Sequence, residues 1–459
     1  MVMSAGQQPP PRDLIVRPVS NMQPFADPQG GQFRTFTTTG GINTTGPFFQ
    51  ELGSNGRRCV TCHQPDDAWT ITPRHIRRRF EATEGNDPLF RTNDGSNCAG
   101  ADISTLDARR EAFSLLLEKG LIRVGIPVSD DAEFAIVSVD DPHGCAPGTE
   151  VSMYRRPLPS TNVSFLSTVM WDGRETIRGQ STEEALLNQA RDATLGHAQA
   201  HRSPSEQQLG EIVAFETSLF TAQTRDSNAG PLLARGARGG PMALSQQTFF
   251  LGINDPFGGN PTGAEFTSRI FDLFDAWIDV GDEPVSLEQP IGFERRRPRV
   301  TEARRAIARG QELFNTRPGM ISGVGGLNDA LGQKVIPGFC GTCHDSPNVG
   351  HHSVPAPLDL GLTDPERRTR DLPLYTLKNR TTGELRQTTD PGRAMISGKW
   401  ADIGKFKGPI LRALAARGPY FHNGSAATLH DVVNFYNDRF LIGLTEQEKS
   451  DLVAFLGSL

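Results

Sequence analysis

RRCVTCHQ (57–64) and GFCGTCHD (338–345) carry the same word twice, as Cys59-Val-Thr-Cys62-His63 and Cys340-Gly-Thr-Cys343-His344. C-x-x-C-H is the attachment signature of a c-type haem. Two thiols one turn apart reach the two vinyl groups of one porphyrin, and the adjacent imidazole then faces the iron as a proximal ligand. A redox dithiol does not need the following histidine. A four-cysteine zinc site asks for its two pairs closer together than residues 62 and 340. The sequence therefore implies two covalently bound haem c groups. Cys59, Cys62, Cys340 and Cys343 tether them, and His63 and His344 bind the irons.

Haem c is attached in an oxidising compartment outside the cytoplasm, which points to the periplasm. The opening MVMSAGQQPPPRDLIV has no basic stretch followed by an apolar core, so a signal peptide is absent from this numbering. The same compartment permits a disulfide. Cys98 and Cys145 are the two remaining cysteines; either they pair, closing a loop of 47 residues, or they stay as two buried thiols.

The composition suits a soluble globular protein of two or three domains: 459 residues, 36% apolar and 22% charged. With 48 Gly and 33 Pro, many turns and long loops are expected. The net charge of −6 disfavours a nucleic-acid groove. No stretch approaches the ~18 consecutive apolar residues of a membrane span. ERRRPRV (294–300) is basic but has no interleaved aromatics and reads as a linker.

Helical signals recur along the chain, and strand-like alternation is sparse. DARREAFSLLLEKG (107–120) is apolar at helical spacing. Ser181-Thr-Glu-Glu184 opens a helix with a capping box, Ser203-Pro204-Ser-Glu206 opens another, and Thr445-Glu-Gln-Glu448 caps the last. EFTSRIFDLFDAWI (265–278) reads as a short amphipathic helix, and TEARRAIARGQELFN (301–315) as a longer one. The expected fold class is mainly α, with two cytochrome c-like haem domains carrying long loops and insertions. Residues 1–30 form an extended arm, 31–225 the first haem domain, 226–299 a loop-rich insertion and linker, and 300–459 the second haem domain.

Three further segments narrow the class: Trp171-Asp172-Gly173-Arg174, Gly418-Pro419-Tyr420-Phe421-His422-Asn423-Gly424, and the EARRAIARGQELFN run before the second haem word. Together with the two haem words in this order, the chain resembles the bacterial di-haem cytochrome c peroxidase superfamily, which includes the MauG enzymes. The resemblance covers about half of the chain. Residues 66–150 and 225–300 match little of it, so the chain looks like an enlarged, divergent member.

The resemblance implies a first haem that meets peroxide and a second that passes electrons to it. Trp171 would lie between them; the plain alternative is a core tryptophan. For the sixth ligand of the second iron, the resemblance puts Tyr436 where the peroxidases have a methionine, as in MauG. Met395 competes through its spacing of 51 positions after His344, while His351 and His352 are too near His344 to be easy candidates. On the distal side of the first haem, Gln189 fits the family's glutamine. Ten positions on stands Gln199 in place of the family's glutamate, and an amide cannot carry the proton that peroxide cleavage needs. His197, two positions earlier, can carry it or ligate the iron; a solvent-facing helix-end role is the alternative. His75 is a weaker distal candidate. His422 and Arg174 suit supporting roles around the haems. The family's calcium ligand would fall near Pro157, and the sequence gives calcium no support.

The reading is thus a periplasmic, peroxide-dependent di-haem c oxidoreductase acting on hydrogen peroxide. Its electrons come from a small redox protein or an oxidisable partner protein. A di-haem electron-transfer cytochrome and a haem oxygenase acting on an organic substrate are the alternatives. Neither nucleic acid nor a membrane span enters any of them.

Overall fold

Each Cys-x-Thr-Cys-His word closes on itself in the same way. The threonine hydroxyl accepts the backbone N–H three residues back, from Arg58 to Thr61 (2.9 Å) and from Phe339 to Thr342 (3.0 Å). The histidine N–H then bonds the carbonyl of the first cysteine, at 3.0 Å for His63 and 3.1 Å for His344. One word is a single helical turn, Cys59–Cys62, and the other a tighter turn, Cys340–Thr342. The computed structural model describes residues 18–146, 148–281 and 297–459. Residues 1–17 of the arm expected over 1–30, and 294–296 of the linker reading, lie outside the described residues; within the rest of the arm, Pro24–Ala26 is a strand paired with residues 32–34.

The helices follow local chemistry. Ser181 and Glu184 exchange the two bonds of a capping box at 3.2 and 2.7 Å, starting the helix Thr182–Gly196. The helix Glu206–Thr217 is capped by Ser205 with Gln208, not by Ser203 with Glu206; the sequence offers two overlapping boxes and the later one forms. Thr445 and Glu448 cap Glu446–Gly457, and Thr428 with Asp431 caps Leu429–Arg439. The 107–120 pattern becomes two short helices, Leu106–Ala112 and Ser114–Lys119, broken at Phe113.

The expectation of a mainly α fold is corrected in part: 31% of the structure is helix and 16% strand. Among the described residues the strands pair antiparallel in four small sheets. They escape a search for alternation because several are buried on both faces. Glu150–Arg155 and Leu219–Asp226 each have five consecutive buried residues.

Two sheets join distant parts of the chain. Gln32–Thr37 pairs with Leu219–Asp226, and Phe134–Asp140 pairs with Leu374–Asn379, which in turn pairs with Leu385–Thr388. The strand Phe134–Asp140 lies in the sequence-unmatched 66–150 segment. Cys98 and Cys145 are joined by a disulfide across the 47-residue separation in that segment.

The expected helix over 265–278 does not form; among these residues only Asp275–Trp277 makes a helical turn. Its backbone donors are taken by side chains instead. Asn315 Oδ1 accepts from Ile270 and Phe271 (3.0 and 3.1 Å), Asn348 Oδ1 from Asp272 (3.2 Å) and Gln311 Oε1 from Phe274 (2.9 Å). This lays Phe271 and Phe274 into the core of the second haem unit, where Phe271, Phe314 and Phe455 meet with ring centroids 5.2–5.7 Å apart.

The long helix expected from residue 301 begins earlier and runs Arg297–Thr316. It crosses Glu446–Gly457 at Gly310, so closely that a Cβ on Gly310 would lie 2.0 Å from the Asp451 carbonyl oxygen. Alanine gains ~1 kcal/mol of helix propensity over glycine, but overpacking costs ~1–3 kcal/mol. Gly310→Ala is therefore expected to lower the thermal midpoint; a midpoint equal to or above the parent's would show that the helices part freely there.

Candidate functional site

One cavity lies against each haem word. The first, of about 1380 Å³, is lined by Cys59, Cys62 and His63; the second, of about 1550 Å³, by Cys340, Cys343 and His344. Their walls are mostly aliphatic and aromatic.

The histidines are set for metal binding by their other ring nitrogen. His63 Nδ1–H donates to the Trp69 carbonyl at 3.1 Å, and His344 Nδ1–H to the Gly350 carbonyl at 2.8 Å. Each bond fixes the ring and its tautomer and leaves Nε2 with a free lone pair. Burial pushes His63 down to about 4 and His344 in the same direction, so both rings are neutral. Burial also pushes the Cys59, Cys340 and Cys343 thiols up to about 12, unlike a reactive dithiol.

Trp171 lines both cavities. Its indole N–H donates to the Arg156 carbonyl at 2.8 Å, its carbonyl accepts from the Lys407 N–H at 2.9 Å, and its ring meets His422 edge-on at 6.2 Å. The Asp-Gly-Arg that follows explains the placement. Gly173 sits at φ +69°, where a Cβ would come 2.9 Å from Thr168 Cγ2. Asp172 is fully buried, accepts the Arg174 N–H at 3.1 Å, and pairs with both Arg155 and Arg174. Arg393 donates to the carbonyl of Gly173 at 2.8 Å. His422 stacks on Phe406 at 4.0 Å, and burial pushes its ring down to about 4.

One face of Thr182–Gly196 and its end, with Gln189, Ala193 and His197 one turn apart, lines the first cavity. His197 Nδ1 is bonded to Asp94, and Asp94 pairs with Arg57. Burial pushes the Asp94 carboxyl up, but Arg57 and His197 outweigh it and hold it below its usual range. Gln199 is elsewhere. The chain leaves the helix through a left-handed residue at Gln199 itself (φ +53°), which is exposed and outside the cavity lining. Its carbonyl accepts from Ser54 Oγ at 2.7 Å. His75 also lies off the cavity, buried between Asp67 and Arg78.

In the second cavity, Tyr436 is part of the wall, and its hydroxyl has no hydrogen-bond partner among the described residues. Met395 is not part of it; it packs in a separate core with Phe134, Tyr375 and Ile403. His351 and His352 are buried behind the haem word, outside the lining. Near the position expected for calcium, the Pro157 carbonyl accepts from Thr70 Oγ1 at 2.7 Å. Among the described residues, no group of three or more His, Cys, Asp or Glu side chains could hold a metal ion. No helix of the described residues is long and apolar enough to cross a membrane.

Several polar residues on the cavity walls were not singled out by sequence, among them Asp94, Arg156, Glu216 and Lys407. Arg156 is buried and donates only to the backbone carbonyls of Ile71, Lys119 and Arg417. Burial pushes it down to about 10. Lys407, on the second cavity, is pushed down to about 7 by burial and by Arg417. Neither has a carboxylate within ion-pair distance among the described residues. A buried cation without an anion is costly, so each cavity offers one charge that the propionates of a haem would neutralise. Together with the free Nε2 of each histidine, the residues present fit two haem c groups.

No family model matches the chain. It is similar to the cytochrome-c peroxidase IdrP1 of Denitromonas iodatirespirans, with 33% identity over 193 residues, 35% of this chain and 50% of that protein. It is also similar to the cytochrome c551 peroxidase of Nitrosomonas europaea, with 32% identity over 143 residues, 29% of this chain and 36% of that protein. The chain spans half or less of the length of these curated relatives. Among solved structures, a MauG-like protein associated with microbial copper homeostasis superposes with a TM-score of 0.37 at 17% identity, covering 90% of this chain and 85% of that one.

Glu216 is 6% exposed, and its carboxyl has no hydrogen-bond partner among the described residues; burial pushes it up to about 8. Between its ordinary value near 4.5 and about 8, the folded chain holds a proton that the unfolded chain has lost. Its contribution to stability is therefore intact below pH ~4.5 and is lost as pH rises to ~8. Glu216→Gln is expected to leave the thermal midpoint unchanged near pH 4.5 and to raise it progressively towards pH 8. Parallel midpoints across that window would show a carboxylate that stays ionised.

Proposed function

We propose that the chain is a member of the di-haem cytochrome c peroxidase and MauG superfamily and a periplasmic peroxide-dependent di-haem c oxidoreductase. The observation that carries this reading is Trp171, whose side chain belongs to the walls of both cavities while each cavity has its own histidine with a free Nε2. Bound there, the two haems supply the redox chemistry, the first meeting the oxidant and the second relaying electrons.

The chain's own residues do the rest. Cys59 and Cys62 tether the first haem, Cys340 and Cys343 the second, and His63 and His344 hold the irons. Arg156 and Lys407 meet propionates. Gln189 orients peroxide by hydrogen bonding, and His197 Nε2 accepts and returns its proton. Trp171 fills the space between the cavities with a π-system and keeps water out of it. Tyr436, on the wall of the second cavity, would offer the second iron a hard oxygen donor suited to oxidised iron. The net reaction takes two electrons and two protons per hydrogen peroxide and yields two waters. The electrons come from a small redox protein or an oxidisable partner protein.

A di-haem electron carrier is the second reading. It is favoured by one observation: His197 and Tyr436 each give their cavity a side chain able to close the iron. Low-temperature EPR of the oxidised holoprotein, and again after one added electron, separates the two. A high-spin signal in either state that peroxide quenches supports the enzyme; two low-spin haems indifferent to peroxide leave the carrier. An intact mass lacking two haems removes both readings.

Two variants test the residue roles. Trp171→Phe is expected to retain both haems and to slow electron exchange between them at least about tenfold, equivalent to ~1.4 kcal/mol on the barrier. An unchanged rate returns Trp171 to a packing role. Tyr436→Phe is expected to change the spectrum of one haem only, and an unchanged spectrum removes the tyrosine as ligand.

A further inference from the structure

We propose that Asp94 is the positioning residue for His197, fixing the imidazole so that Nε2 serves as the proton acceptor of the first cavity. The inference rests on the peroxide reading of that cavity and goes beyond it, because Asp94 lies in the 66–150 segment that no recognised motif covers.

The geometry is a chain of three side chains from three parts of the sequence. Arg57 stands two residues before the first haem cysteine, Asp94 in the insert, and His197 at the end of the Thr182–Gly196 helix. All three line the first cavity. Asp94 takes Arg57 on Oδ1 and His197 Nδ1 on Oδ2, so both carboxylate oxygens are engaged. Arg57 is itself held by the carbonyls of Pro88 (2.9 Å) and Leu89 (2.8 Å).

The backbone of His197 is clamped from the same side. Its carbonyl accepts from Asn55 Nδ2 at 2.8 Å and from Arg57 Nη1 at 3.1 Å. Gly53 packs so tightly there that a Cβ would lie 1.9 Å from the Ala198 carbonyl oxygen. Neither the ring nor the helix end can turn without breaking these bonds.

An ionised carboxylate accepts but cannot donate. The proton on Nδ1 is therefore kept, and Nε2, with no hydrogen-bond partner among the described residues, presents its lone pair. The step assigned to the pair is a proton transfer alone. An O–H bond of peroxide, or the C–H bond of hydrogen cyanide, breaks as Nε2–H forms, and the new positive charge on the imidazole lies beside the Asp94 carboxylate. The orienting carboxylate thereby supplies what Gln199, turned out on the surface, does not.

Cyanide provides a readout separate from turnover, because the anion binds while the acid must first be deprotonated. Its association rate with the first haem is measured by stopped flow in the holoprotein, its Asp94→Asn and His197→Ala variants, and the double variant. Asp94→Asn is expected to slow association about 10- to 100-fold, the range common for partners that orient a functional histidine. His197→Ala is expected to slow it at least as much, and the double variant to match His197→Ala alone.

Wild-type association in a folded Asp94→Asn protein overturns the proposal. So does a loss of equal size in the His197→Ala background, which marks Asp94 as merely structural. Should the unpaired Arg57 keep the asparagine variant from folding, Asp94→Glu retains the charge and displaces the carboxylate by one methylene. It is then compared in the same two backgrounds with the same expected and overturning outcomes. A parent protein that binds cyanide but ignores peroxide fails the peroxide reading, while the cyanide cycle still decides the pairing.

Discussion

The guanidinium of Arg155 holds Asp172 and Asp390, far apart in the chain, in register. It lies at the end of the strand Glu150–Arg155 and is 3% exposed. It grips Asp390 with two nitrogens, at 2.7 and 2.8 Å, and Asp172 with the third. Burial alone would push it towards neutrality, but the two carboxylates outweigh burial and keep it charged. Asp172 immediately follows Trp171, and Asp390 belongs to the second haem half. One buried cation thus sets the position of the tryptophan relative to both cavities. Removing one partner from such a network leaves an uncompensated charge, at a cost of ~3–5 kcal/mol. The constraint is therefore specific as well as strong.

The long insert between the first haem word and the W-D-G-R segment is tied in at several points. Its strand Phe134–Asp140 enters the sheet of Leu374–Asn379, His143 Nε2 bonds the Asp371 carbonyl at 3.0 Å, and Lys119, just before the strand Ile122–Pro127, pairs with Asp371. The disulfide Cys98–Cys145 closes a 47-residue loop within this region. With these links in place, the insert delivers Asp94 to the first cavity while its other edge is held by the second half. A segment that matches no motif is thereby part of the architecture around Trp171.

What the sequence made legible was chemistry carried by neighbours in the chain. The two haem words, the helix caps at Ser181 and Thr445 and the cysteine pair all depend on residues within a few positions or on simple arithmetic. What it hid depended on distant partners. The 265–278 segment has the apolar spacing of a helix, yet Asn315, Gln311 and Asn348 capture its backbone donors and hold it open. Several strands are buried on both faces, so they show no alternation to read. His197 and Gln199 are two positions apart, and position alone does not say which of them reaches the cavity. Only the left-handed turn at Gln199 separates a residue on the cavity wall from one on the surface. Asp94 could not be found from spacing at all, since its partners are 37 and 103 positions away.

Charge pairing divides the buried cations into two kinds. Arg57 and Arg155 are matched by carboxylates from the protein itself; they hold Asp94 and Asp172, and through these His197 and Trp171. Arg156 and Lys407 are equally buried but have no carboxylate partner among the described residues, and both are displaced towards neutrality. Arg156 adjoins Arg155 in sequence, so local composition does not separate the two roles; only the partner does. A fold held together by its own ion pairs has no structural need for further buried cations at the cavity walls. Arg412 shows that a buried cation without a carboxylate among the described residues is not confined to the cavities, but at the cavity walls such a cation would suit an anion brought by a prosthetic group. The paired cations define the frame, the unpaired ones on the cavity walls would meet the carboxylates of bound haems, and Trp171 is linked to both sets, through Asp172 on one side and through the Arg156 carbonyl and the Lys407 N–H on the other.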